Sequence, residues 1–127
     1  MWRIEFNSDE FLPFLPEEAQ SNPGVYGFEL SVWVARKLAA SELCTTYPLQ
    51  EDWGWLLHYG DDEVLIGCAS VCGEGEGYKS RAIAWSIFVA AAEGNSGAPL
   101  TDSERRIRDR ICQALESEGM RPEVVEP

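Results

Sequence analysis

Four carboxylates, Glu51, Asp52, Glu74 and Glu76, are the residues of this chain best placed to do chemistry together. If the runs flanking them pair as antiparallel strands, Glu51 and Asp52 open one strand at the sheet end that also carries the Glu74/Glu76 loop, with Lys79 and Arg81 beside them. Asp61, Asp62 and Glu63 then go to the opposite end. Such a group suits acid–base hydrolysis, divalent-cation binding or recognition of a basic partner. Recognition is preferred, because hard cations need oxygen ligands at fixed spacing in a defined loop and no EF-hand pattern is present. The plain alternative is a solvated loop end with weak ion pairs.

Other constellations fail on mechanism. Gly73 to Ser80 places glycines before a Lys-Ser pair, as a phosphate loop does. Tyr78 breaks the spacing, Glu74 and Glu76 would repel phosphate, and the following segment reads as a strand with no helix N-terminus to hold an anion. Cys68 and Cys72 lie four apart with His58 on the neighbouring strand, but structural zinc wants a second ligand pair and the chain has a single histidine. Ser70 or Cys68 beside His58 would need a local signature such as a nucleophile elbow, and none is present. The residues therefore assign no catalytic group, metal or cofactor, and the chain reads as a binding protein before an enzyme.

An aromatic row is the leading binding feature. In Trp53-Gly54-Trp55-Leu56-Leu57-His58-Tyr59, period-2 alternation puts Trp53, Trp55, Leu57 and Tyr59 on one face and Gly54, Leu56 and His58 on the other. Trp85, from a later strand, joins the first group. The opposite face collects Gly54, Gly67, Ala69, Ala82 and Ala84. Both faces are then too apolar to leave one in water, so helices must cover one. The other must be covered by Phe11–Pro16, a second copy or a partner. Trp and Tyr are the types that dominate interface hot spots. Packing of the same rings beneath the helices is the competing structural role.

The elements that position these residues follow from pattern. Trp2-Arg3-Ile4-Glu5-Phe6 alternates and predicts a first strand. The prolines of Phe11-Leu12-Pro13-Phe14-Leu15-Pro16 predict an irregular segment lying on hydrophobic surface. Tyr26, Leu30, Val34 and Leu38 recur at helical spacing and predict a helix over 26–43. Residues 52–59 and 63–71 flank Gly60-Asp61-Asp62 and predict a hairpin. Residues 79–92 are read as a strand, because Ile83, Trp85, Ile87 and Val89 fill one period-2 row, although Ala90 to Gly94 resembles a helix end. Thr101-Asp102-Ser103-Glu104 is a capping box that opens a second helix with Ile107, Ile111 and Leu115 inward and Gly119 as its left-handed cap. Pro122 confines any last strand over 120–125 to an edge. The expected fold is α+β in a single domain, 1–127: a two-layer sandwich in which an antiparallel sheet of four or five strands carries two helices on one face, in the order β-α-β-β-β-α and a last β.

Composition bounds the function. With 22 acids against 10 bases the formal charge is −12, which disfavours nucleic-acid phosphate and anionic lipid. Arg105, Arg106, Arg108 and Arg110 concentrate positive charge near a helix N-terminus, where it opposes the macrodipole and calls for an acidic neighbour in the same domain or a second copy. No apolar run is long enough to span a membrane. Met1 to Phe6 lacks the basic and apolar regions of a secretory signal, and four cysteines spread over helices and strands read as reduced, mostly buried thiols, so a cytoplasmic setting is expected. The expectation is a small acidic cytoplasmic protein of inhibitor or immunity type. It would engage a basic protein partner, or a second copy as a homodimer, through Trp53, Trp55, Tyr59, Trp85, Glu51, Asp52, Glu74 and Glu76. The alternatives are a small hydrolase using the carboxylate cluster and a domain cupping a small ligand against Trp53 and Trp55.

Overall fold

The computed structural model describes residues 2–20, 25–60, 63–71, 82–91 and 101–125. The chain runs β1 (Trp2–Ser8), a short 3-10 turn (Glu17–Ala19), α1 (Phe28–Ala39), β2 (Leu49–Glu51), β3 (Gly54–Tyr59), β4 (Val64–Ser70), β5 (Ile83–Ala91), α2 (Asp102–Ser117) and β6 (Glu123–Val125). The strands form one six-stranded antiparallel sheet in the order β2-β3-β4-β5-β1-β6. This is the expected α+β sandwich with two more strands than the minimum. The proline-limited segment at the end of the chain pairs as β6 outside β1, and Leu49–Glu51 pairs as β2 outside β3, so Glu51, expected to open the strand with Asp52, instead closes a separate edge strand and Asp52 lies in the turn.

Register sorts the side chains into two faces. Ile4 lies opposite Ile87, Ile87 opposite Cys68, and Cys68 opposite Trp55. All four are buried, together with Phe6, Trp85, Val89, Ile66 and Leu57 in the same alternating rows. Both helices lie over this face, α1 across β3 and β4 and α2 across β5. Their inward rows are Leu30, Val34 and Leu38 on α1 and Ile107, Ile111 and Leu115 on α2, all essentially inaccessible. Burying an aliphatic chain of this kind contributes about 1.5–3 kcal/mol, so these rows dominate stability.

Local chemistry fixes the helix ends. Thr101 accepts from the backbone N–H of Glu104, and the Glu104 carboxylate accepts from that of Thr101, closing the expected capping box. The box is tied to the β3–β4 connection by Ser103, whose hydroxyl donates to Glu63 at 2.6 Å. At the other end of α2, Met120 N–H bonds Leu115 and Gly119 N–H bonds Glu116, with Gly119 at φ 85. That is a Schellman motif, with Met120 buried as its apolar partner.

Two expectations about packing are corrected. Phe11–Pro16 is irregular as expected, yet it lies on the helix side rather than over the other face. Phe11 packs edge-on to Phe6, Trp33 and Trp85, and Phe14 to Phe28. The segment is held there because Glu29, in the first turn of α1, accepts from the backbone N–H groups of Phe14 and Leu15. Among the described residues the cysteines are not mostly buried: Cys68 is in the core and Cys112 half-buried, but Cys44 is exposed in the connection after α1. All three are free thiols. Cys72 lies outside the described residues.

Candidate functional site

The aromatic row divides between the two faces. Trp55 and Trp85 sit beneath the helices at 7% and 1% exposure, and Tyr59 packs half-buried against the same core. Phe28 at the start of α1 meets the Trp55 ring edge-on at 5.0 Å, and Phe11 covers Trp85. The expectation that Trp53 shares this face is overturned. Strand β3 starts only at Gly54, and Trp53 belongs to the turn between β2 and β3. Gly54 takes φ 156 and presses so close to β4 that an added Cβ would stand 2.5 Å from the Cys68 carbonyl oxygen and 2.9 Å from Ala69 Cβ. This breaks the period-2 alternation and throws the Trp53 ring onto the face that neither helix covers.

There Trp53 tilts against Phe88 with ring centroids 5.1 Å apart. Phe88 in turn lies flat over Gly67 of β4, where a Cβ would fall 2.0 Å from the ring. Trp53 remains 40% exposed, and Glu51 and Asp52 beside it are exposed as well. The β2–β3 turn is therefore an aromatic ring set between carboxylates at the surface. Trp53 and Trp55, lying on opposite faces, do not line a common cavity.

The carboxylate grouping is resolved in part. Register puts Glu51 at the sheet end shared by the close of β4 and the start of β5, as expected, and Glu63 at the other. Glu74, Glu76, Lys79 and Arg81 lie outside the described residues, as do Asp61 and Asp62. His58 stands four residues along β3 from Gly54, about 13 Å away, so it does not meet Glu51 or Asp52. Among the described residues no three His, Cys, Asp or Glu side chains are grouped to hold a metal ion. Among the same residues no helix is long and apolar enough to cross a membrane. The arginine run of α2 is partly neutralised within the domain, Arg105 by Asp102 and Arg108 by Asp109, with Arg108 also over the Trp2 ring. Arg110 donates to Ser41.

A cleft of about 670 Å³ opens at the same end of the sheet, between the close of β1, the start of β5 and β6, and the C-terminus of α2. Its carboxylates are Glu5, Asp9, Glu10, Glu118 and Glu123, against the single base Arg121. It lies four strand positions from β2, about 19 Å, so Glu51 and Asp52 are a separate patch. Sequence reading missed this group because it depends on β6 returning beside β1, a long-range pairing that three residues do not announce. The one local signal was the Asp9-Glu10 pair following an alternating strand. Compared with known proteins, the chain matches no family model, no curated protein and no solved structure.

Proposed function

We propose that this chain is a small acidic binding protein, of inhibitor or immunity type, that engages a basic protein partner at the sheet end carrying the β2–β3 turn. The observation that supports it is Trp53, the one of the four candidate aromatics presented to solvent, seated on Phe88 and flanked by Glu51 and Asp52. A rigid aromatic ring on an apolar support, surrounded by charge of one sign, has the make-up of an interface anchor. A formal charge of −12 steers a cationic partner toward it and opposes approach of a second copy.

The test is affinity capture at low salt with the wild-type chain and with Trp53→Ala. A basic protein retained at about 50 mM salt, released as salt rises and lost from the variant by a hot-spot margin of about 2 kcal/mol or more is the expected result. Equal retention by the variant, or retention only of acidic or neutral proteins, would overturn the reading.

A further inference from the structure

The face without helices carries an apolar row that crosses four strands. Leu49 on β2 lies opposite Leu56 on β3, Leu56 opposite Gly67 on β4, and Gly67 opposite Phe88 on β5, whose ring fills the space above the glycine. Leu65 stands two residues from Gly67 on the same face, and Trp53 leans on Phe88. Leu49 and Trp53 are 38% and 40% exposed, with Leu65 and Phe88 half-buried. Three strand spacings make the patch about 14 Å across, and the four steps from Leu65 to Ala69 make it about 13 Å long. That is the footprint of a single helix about three turns long and about 10 Å wide.

What borders the row decides what can cover it. The next row toward the β2–β3 turn has Glu51 at one end and Glu5 beside Glu123 at the other, with only small residues between, and Asp52 follows Glu51 in the turn. Among the described strand residues the bases on this face are Arg3, engaged with Glu5 at 3.8 Å, and His58. A second copy stacked here therefore brings carboxylates in excess of cations. Strand addition is disfavoured as well. Both edges are three-residue strands that follow a proline and carry a carboxylate, β2 after Pro48 with Glu51 and β6 after Pro122 with Glu123. A surface that complements both the row and its border has an apolar stripe with lysine or arginine alongside. A helix presents such a stripe to a sheet, as α1 and α2 do on the opposite side.

We propose that the partner docks on the helix-free face through a cationic amphipathic helix. Its apolar stripe lies on Leu56, Leu65 and Phe88 beside Trp53, and its lysines or arginines face Glu51, Asp52 and Glu5. The assignment rests on the basic-partner reading and extends that contact from the β2–β3 turn across the sheet. It is tested by titrating the full chain, at about 50 mM salt, with a peptide of leucine and lysine at helical spacing. A second peptide of the same composition, permuted to lose the stripe, is the charge control. The wild type is compared with Leu65→Ser and with Ala90→Lys, which lies opposite Leu65 and away from the turn. Leucine and alanine methyl resonances are followed by NMR, and thermal melts check that each variant is folded.

The expected result is that the permuted peptide binds the wild type about tenfold or more weakly than the striped one, and that each variant loses about fivefold or more of the affinity for the striped peptide. The methyls of Leu56, Leu65 and Ala90 should shift, and those of Leu30 and Leu115 under the helices should not. Equal binding of the two peptides would mean that charge alone is read, and the assignment fails. Unchanged affinity in folded Ala90→Lys, or shifts confined to the β2–β3 turn, would also overturn it and leave the basic-partner reading standing. A wild type that is already dimeric at low salt, with the same methyls at the dimer contact, gives the face to a second copy and overturns it too. No binding of the striped peptide removes the helix from this face, whereas the basic-partner reading falls only if affinity capture retains no basic protein.

Discussion

Glu42 occupies a position that the backbone reserves for glycine. It ends α1 at φ 65, with its N–H bonded to Ala39 and that of Leu43 to Leu38, the same Schellman geometry that Gly119 provides for α2. A Cβ in the left-handed region is strained, and glycine relieves that strain at some cost in unfolded-state freedom. Glu42→Gly should therefore raise stability by about 0.5–1 kcal/mol, and Gly119→Ala should lower it by about 1 kcal/mol, both read from urea midpoints at unchanged slope. Cys68 offers a pH test. Burial pushes its thiol well above the ordinary range, and Cys112 is raised too, by burial and then by the Glu116 carboxylate. The unfolded chain loses the Cys68 proton first as pH rises, so this contribution is complete below the ordinary thiol value and is lost progressively above it. The loss should reach about 1 kcal/mol by pH 9.5. Urea unfolding at neutral and alkaline pH should show the decline, and Cys68→Ala should flatten it. An iodoacetamide time course followed by peptide mass mapping should find Cys44 modified at once and Cys68 only on unfolding.

The Gly67–Phe88–Trp53 stack joins three elements, β4, β5 and the β2–β3 turn, and belongs to the face without helices. Aromatic pairs of this kind are coupled by about 0.5–1.5 kcal/mol, so a double-mutant cycle on Trp53→Ala and Phe88→Ala should return a coupling of that size. Gly67→Ala should displace the Phe88 ring and shift Trp53 fluorescence toward that of a solvated indole. The stack also marks where sequence stopped being sufficient. Elements with a local periodic signal were legible: the hairpin arms, the Ile83–Val89 row of β5, the inward rows of both helices, the capping box and Gly119. Trp53 was not, because alternation holds only while the backbone stays extended, and a single glycine at φ 156 reverses the face of the preceding side chain. Of the three candidate covers for the second face, the structure removes Phe11–Pro16, because its anchor is Glu29, a carboxylate fourteen and fifteen residues away that holds the segment on the helix side. β2 and the cleft carboxylates were missed for one shared reason. Three-residue edge strands are defined by the neighbour they pair with, and a strand pairing spanning more than a hundred residues, such as Glu5 with Glu123, leaves no trace in either partner's own sequence.

At the scale of the whole molecule, charge and apolar surface pull association in opposite directions, and salt separates them. The helix-free face holds Trp53 and Phe88 with Leu56 and Leu65 in the neighbouring rows, which favours burial against another surface whatever its charge. The formal charge of −12 repels a second copy across the same contact, while it attracts a cation-rich chain. Raising ionic strength screens both terms over a Debye length of about 8 Å at 0.15 M, so the two kinds of complex must respond with opposite sign. Self-association, if it is the use of this face, strengthens as salt is added. Association with a basic partner weakens, because attraction and steering are lost together. Light scattering on the isolated chain should accordingly report a monomer at about 20–50 mM salt, where repulsion is least screened, and dissociation of the captured partner should accelerate across the same salt range. A dimer already present at low salt and unaffected by screening would mean that apolar contact outweighs the repulsion. The exposed Trp53 would then belong to a homodimer interface, with the acidic end of the sheet left as its solvated rim.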